Sequence, residues 1–160
     1  NSMSALLGEV ARVEVRFSAP AYSYLLALNP DGTVQLCEPA DRRTAPTASA
    51  WITYPPGEEF YFPFTDGKGL QSFVLIASRR PLPAFDDWAA ARALNWSQVP
   101  AAGFWLYDGR HWEPRSRRDD ASRGQPVRIA GVPTPLADAC RRLVEEPGVE
   151  VVRAMAFPID

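Results

Sequence analysis

The sequence predicts a mainly β protein: an antiparallel β-sandwich, Ig-like or related, with two short α-helices. Period-two alternation is the first sign. In residues 9–18, Val13, Val15 and Phe17 face one way and Arg12, Glu14 and Arg16 the other. A tight turn is the second. Residues 22–39 read as two strands joined by Asn29-Pro30-Asp31-Gly32. Asn at the first position can bond back to the backbone, Pro30 pre-sets φ, and Gly32 tolerates positive φ. The third is connectivity. The early strand candidates follow one another largely without helices, whereas a parallel sheet needs a crossover helix between strands.

Each segment supports this reading in turn. The strand in residues 9–18 has one wet face and is expected to stop at Ser18-Ala19-Pro20. Residues 22–28 are apolar on both sides, with Tyr24, Leu26 and Leu28 against Leu25 and Ala27, which marks a central, covered strand. Residues 33–38 return antiparallel to it. A polar loop over 39–48 leads to a short strand, Trp51-Ile52-Thr53-Tyr54, halted by Pro55-Pro56-Gly57. Residues 59–64 are aromatic-rich with Pro63 near the end, which suits an edge. Residues 65–69 form a turn. Residues 70–78 form a strong strand, with Phe73, Leu75 and Ala77 alternating with Val74 and Ile76.

Two helices are expected in the second half. Asp86 and Asp87 occupy a first helical turn, where carboxylates favour the helix dipole, and Phe85, Trp88, Ala89, Ala93 and Trp96 share a face. Asp108-Gly109 is a type I′ hairpin signal within residues 103–112. A two-residue loop there pairs Tyr107 with Arg110, sets Leu106 opposite His111 and Trp105 opposite Trp112. Residues 116–124 form an exposed polar loop, and residues 126–132 a short strand. Thr134 as N-cap and Pro135 at the next position open the second helix. Its stripe is Leu136, Ala139, Cys140, Leu143 and Val144, and Pro147-Gly148 closes it. Residues 149–157 form a last strand.

A chain of 160 residues with 46% hydrophobic content can bury one real core, so residues 4–160 are read as one domain. Residues 1–3 have the look of a cloning remnant, and the domain is expected to be excised from a longer protein. The 16 prolines are spread along the chain, which favours many short elements over a helical bundle. A net charge of −2 is a poor electrostatic footprint for nucleic acid or anionic membrane. No apolar run approaches a membrane span, so no membrane insertion is expected. Neither a signal-peptide pattern nor a disulfide framework is evident, which favours reduced thiols and the cytoplasm. The oligomeric state is not legible.

Chemistry is sparse. His111 is the single histidine, and Cys37 and Cys140 are the two cysteines. No zinc, EF-hand, Walker or dinucleotide-binding spacing occurs, and no cofactor, metal or catalytic residue is assigned. Cys140 belongs to an apolar helix face. Cys37 alternates with Leu36 and is expected on the less buried side. Glu58-Glu59, Asp119-Asp120 and Glu145-Glu146 are adjacent pairs, and adjacent strand residues point to opposite faces.

The segment V-A-R-V-E-V-R-F-S-A-P-A-Y-S-Y-L-L-A-L-N-P-D-G-T-V-Q-L-C-E-P resembles a bacterial module of unknown function, and L-Q-S-F-V-L-I-A-S-R-R-P-L-P is similar to its companion strand. The likeness covers roughly residues 6–83. It implies an Ig-like or related accessory domain attached to serine/threonine kinase, caspase-like or similar signalling domains, as in planctomycetes and related bacteria. It carries over no catalytic residue.

The expectation is therefore a non-catalytic interaction or sensor domain of a larger bacterial signalling protein, contacting a protein partner or a neighbouring domain. The candidate partner-binding residues are Trp105, Tyr107, Arg110, Trp112, Arg115, Arg117 and Arg118. Core filling is the competing reading for the aromatic residues, and a solvated loop for the arginines. A carbohydrate-binding module using exposed Trp51, Trp105 or Trp112 is the alternative. A hydrolase with an unrecognised carboxylate or Cys37 site is the third.

Overall fold

The computed structural model describes residues 4–90, 96–99, 103–114 and 131–160. Its elements are β1 (Val10–Ala11), β2 (Val13–Leu28), β3 (Val34–Glu38), β4 (Ser49–Tyr54), β5 (Phe62–Pro63), β6 (Gly69–Ser78), α1 (Phe85–Ala90), β7 (Trp105–Tyr107), β8 (Trp112–Pro114), α2 (Thr134–Val144) and β9 (Val151–Ile159). The protein is mainly β and sandwich-like, with two antiparallel sheets. The larger sheet runs β3-β2-β6-β9-β7-β8, with β4 also paired to β2; the smaller one is β1-β5.

The central strands of the larger sheet, β6 and the second half of β2, are buried on both faces, as their two-sided apolar sequences require. On one face, Tyr24, Leu26, Val74, Ile76, Val152 and Ala154 meet the helices. There α1 contributes Phe85 and Trp88, and α2 contributes Leu136, Cys140 and Leu143. Tyr24 centres this layer: its ring lies 5.3 Å from both Phe85 and Trp88, and its hydroxyl donates to the Pro83 carbonyl. On the other face, Leu25, Ala27, Phe73, Leu75 and Phe157 meet an outer layer containing Val13, Ile52, Phe62 and Phe64.

One strand builds both layers. The second half of β2 lies in the main sheet, pairing Leu25 with Leu75 of β6 and with Glu38 of β3. Its first half pairs with β4, Val13 opposite Tyr54 and Val15 opposite Ile52. The chain does not stop at Ser18-Ala19-Pro20 as expected; it continues as strand. Proline is tolerated there because the ladder to β4 is irregular between Arg16 and Ala21, so no N–H is required of it.

The turn after β2 forms with different hydrogen bonds from those expected. Gly32 N–H donates to Asn29 O at 3.0 Å, and Gly32 takes φ +90°. Asp31, rather than Asn29, bonds back to the backbone, accepting the Thr33 N–H at 2.9 Å. Asn29 turns inward, where its Oδ1 accepts from Gln71 Nε2.

The hairpin register also differs. Trp105 pairs with Pro114, Leu106 with Glu113 and Tyr107 with Trp112. Four residues, Asp108 to His111, make the turn instead of two. The Asp108 carboxylate explains the longer loop, because Oδ1 accepts the N–H groups of both Arg110 and His111 at 2.7 Å. His111 consequently lies exposed in the turn, not on a strand face.

Other boundaries shift for local reasons. The N-cap of α2 is Pro133, and Thr134 is already helical, so no side chain caps this end. Val144, expected on the buried stripe, is exposed. Of the 59–64 segment only Phe62–Pro63 is strand, while Phe60 and Tyr61 are exposed. Cys37 is buried, not on the less covered side, because it faces the outer layer. The expected strand at 126–132 and the Ala93 contact fall largely or wholly outside the described residues.

Candidate functional site

The outer layer is narrower than the sheet it covers, and this mismatch leaves a groove. Residues directly opposite one another in neighbouring strands share a face. One such row runs Phe73 on β6, Met155 on β9, Leu106 on β7 and Glu113 on β8. Phe73 is buried beneath the outer layer, Met155 and Leu106 are half-buried, and Glu113 is exposed. A second row joins Leu25, Leu75 and Arg153, again ending in an exposed residue. The groove along these row ends has a volume of about 490 Å³.

Its opposite wall is the first half of β2. Val13, Glu14, Val15 and Arg16 all line it. Side chains alternate along a strand, so four consecutive lining residues mean that the strand presents its edge. The other edge of the same segment carries the ladder to β4. The groove thus combines an apolar floor, a strand edge and a mixed rim of Glu14, Arg16, Asp108, Glu113 and Arg153. Arg153 is held in place, since its Nη1 donates to Asp108 O and to Val152 O. The carboxyl of Asp108 is held below its usual range by the backbone N–H groups of His111 and Arg110.

The sequence-based candidates have separate places. Trp105 is 5% exposed and Tyr107 is also buried, both in the layer beneath α2. Trp112 is half-buried and stacks on Tyr107, with ring centroids 4.8 Å apart at 29°. Burial raises the Tyr107 hydroxyl above its usual range. Arg110 is exposed and lines a different, polar concavity of about 410 Å³ beside Val149 and Glu150. Arg115, Arg117 and Arg118 lie outside the described residues. Trp51 is 66% exposed on β4, in the wall of a third pocket that also holds Glu38.

The thiols are unsuited to nucleophilic work. Burial pushes both Cys37 and Cys140 up to about 12, so each is a neutral thiol at physiological pH. Among the described residues, no group of three or more His, Cys, Asp or Glu side chains could hold a metal ion. None of the described helices is long and apolar enough to cross a membrane.

Nothing in the sequence singles out the groove residues Leu106, Met155, Glu113 and Arg153. Each looks like an ordinary strand position. What unites them is β9 lying between β6 and β7, a pairing with no local signal. Compared with protein-family models, curated proteins and solved structures, the chain matches none of them.

Proposed function

We propose that this is a non-catalytic interaction domain of a larger bacterial signalling protein, and that the groove receives an extended segment of a protein partner or of a neighbouring domain. The observation that carries this reading is the edge of β2 at residues 13–16 standing over an apolar floor. A strand edge offers backbone donors and acceptors, and an adjacent apolar floor offers pockets for alternate side chains; together they suit β-strand addition. The mixed rim charges suit a segment carrying both signs, which would fix its register.

A photo-crosslinking residue at Leu106, in the protein expressed with the segments that flank it, tests the reading. The expected product is a crosslink to one defined extended sequence, suppressed by Met155→Asp in the floor. Crosslinks scattered over many sequences, or insensitivity to that substitution, would overturn the proposal.

A further inference from the structure

The third concavity, of about 300 Å³, lies where the end of β3 meets β4 and the loop before it. Glu38 and Trp51 line it, with Pro46, Ser49, Thr53 and Pro56 completing much of the wall. Glu38 is the last residue of β3 and pairs with Leu25 where the β2–β3 ladder is irregular. Its side chain is half-buried and has neither a hydrogen-bond partner nor an ion pair among the described residues. A partly desolvated carboxylate without a partner is costly, and a complementary donor removes the cost.

Trp51 supplies the second, independent observation. The other tryptophans among the described residues, Trp88, Trp96, Trp105 and Trp112, are buried or half-buried. Trp51 leaves an indole largely in solvent at the mouth of a pocket that contains a carboxylate. An aromatic face attracts a cation by its quadrupole, and a planar guanidinium can stack on the ring while its N–H fork reaches a carboxylate.

We propose that the Glu38–Trp51 pocket binds a guanidinium group, such as that of an arginine side chain presented by a partner. This site is distinct from the groove and does not depend on it. The desolvation that raises the Glu38 carboxyl, with no cation contributing to lower it, agrees with a site built for a positive ligand.

The test is titration with N-acetyl-argininamide, read at the Trp51 indole N–H and the Glu38 carboxyl carbon by NMR. Saturable shifts at both positions are expected. Glu38→Gln is expected to weaken binding about tenfold or more, as for a lost charge-assisted hydrogen bond. Trp51→Ala is expected to weaken it by about threefold, in line with an exposed cation–π contact. N-acetyl-citrullinamide, the neutral isostere, is expected to produce no saturable shift. Equal binding of the citrulline compound, no saturable response to the arginine compound, or shifts produced only by a neutral glucan oligosaccharide would each overturn the proposal. The last result would assign the pocket to sugar instead.

Discussion

Gln71 Nε2 donates to Oδ1 of Asn29 across 3.1 Å, tying the middle of the sheet to the turn that follows β2. Both side chains are almost fully buried. The same amide also lies within hydrogen-bond distance of Leu28 O, at 3.2 Å. Asn29 O in turn accepts the indole N–H of Trp96 at 2.9 Å, and Asn29 Nδ2 donates to Thr33 Oγ1 at 3.1 Å. The turn is therefore anchored from inside by a polar network. Gln71→Leu removes the donor and leaves the Asn29 oxygen buried without it. The expected loss is about 1–3 kcal/mol of unfolding free energy, the cost of an orphaned buried acceptor. Urea denaturation measures it; an unchanged midpoint would show that the network contributes nothing.

Gly32 is the other half of that anchor. Its φ is +90°, and a Cβ there would approach the backbone nitrogen of Gln98 to 3.3 Å. Gly32→Ala thus meets backbone strain and a crowded neighbour together. A loss on the order of 1–2 kcal/mol is expected, as for a non-glycine residue forced to positive φ. Gly148→Ala shares the positive φ, +84°, but has nothing within 4 Å, and serves as the comparison. The excess loss at position 32 measures the contact with residues 96–99.

What the sequence reveals here follows from the range of the forces involved. Residues 22–28 are apolar on both sides, and that strand is central, because burial on two faces imposes an apolar pattern on its own residues. The Asn29–Gly32 turn is legible because φ and local hydrogen bonds depend on four or five residues. The groove is not. Leu106 and Met155 become neighbours only when β9 enters beside β7, and no local pattern specifies that pairing. Glu38 is hidden for a related reason: it reads as the polar end of a strand, and only the packing of β4 and its preceding loop desolvates it. The Asp108 turn is decided at an intermediate scale. Asp-Gly favours a two-residue loop, but a carboxylate that accepts two successive N–H groups stabilises a longer one.

The buried thiols give stability a defined pH dependence. Burial raises Cys37 and Cys140 from 9.0 to about 12 in the folded protein. Above pH 9 the unfolded chain releases these protons while the folded one keeps them, so the unfolded state binds fewer protons and stability falls as pH rises. The contribution is fully present below pH 9 and is lost through the window up to about 12. Tyr54, raised from 10.0 to about 12 by burial and then by Cys37, adds in the same direction from pH 10 upward. The slope is at most about 1.4 kcal/mol per pH unit for each thiol. Cys140→Ala is expected to reduce the slope between pH 9 and 10 by about half, the share of one of two equivalent thiols. Thermal unfolding across this range, with both proteins compared at each pH, reads the difference. A flat profile in the parent protein would mean that the thiols ionise freely in the folded state.

Trp105 and Trp51 are the same residue type in two physical situations, and truncating each separates packing from exposure. Trp105 is 5% exposed beneath α2, in the cluster that holds Tyr107, Leu136 and Cys140. Trp105→Ala leaves a void that the sheet and helix cannot fill, and is expected to cost about 3–5 kcal/mol. Trp51 is 66% exposed, and Trp51→Ala is expected to change stability by no more than about 0.5 kcal/mol. Chemical denaturation of both variants measures this contrast. A large loss at Trp51 would make its indole a packing element and remove the reason for treating it as a recognition surface. A small loss at Trp105 would mean that β7 is loosely held against α2, so that the groove wall formed by Leu106 on its opposite face is not rigid enough to select a partner.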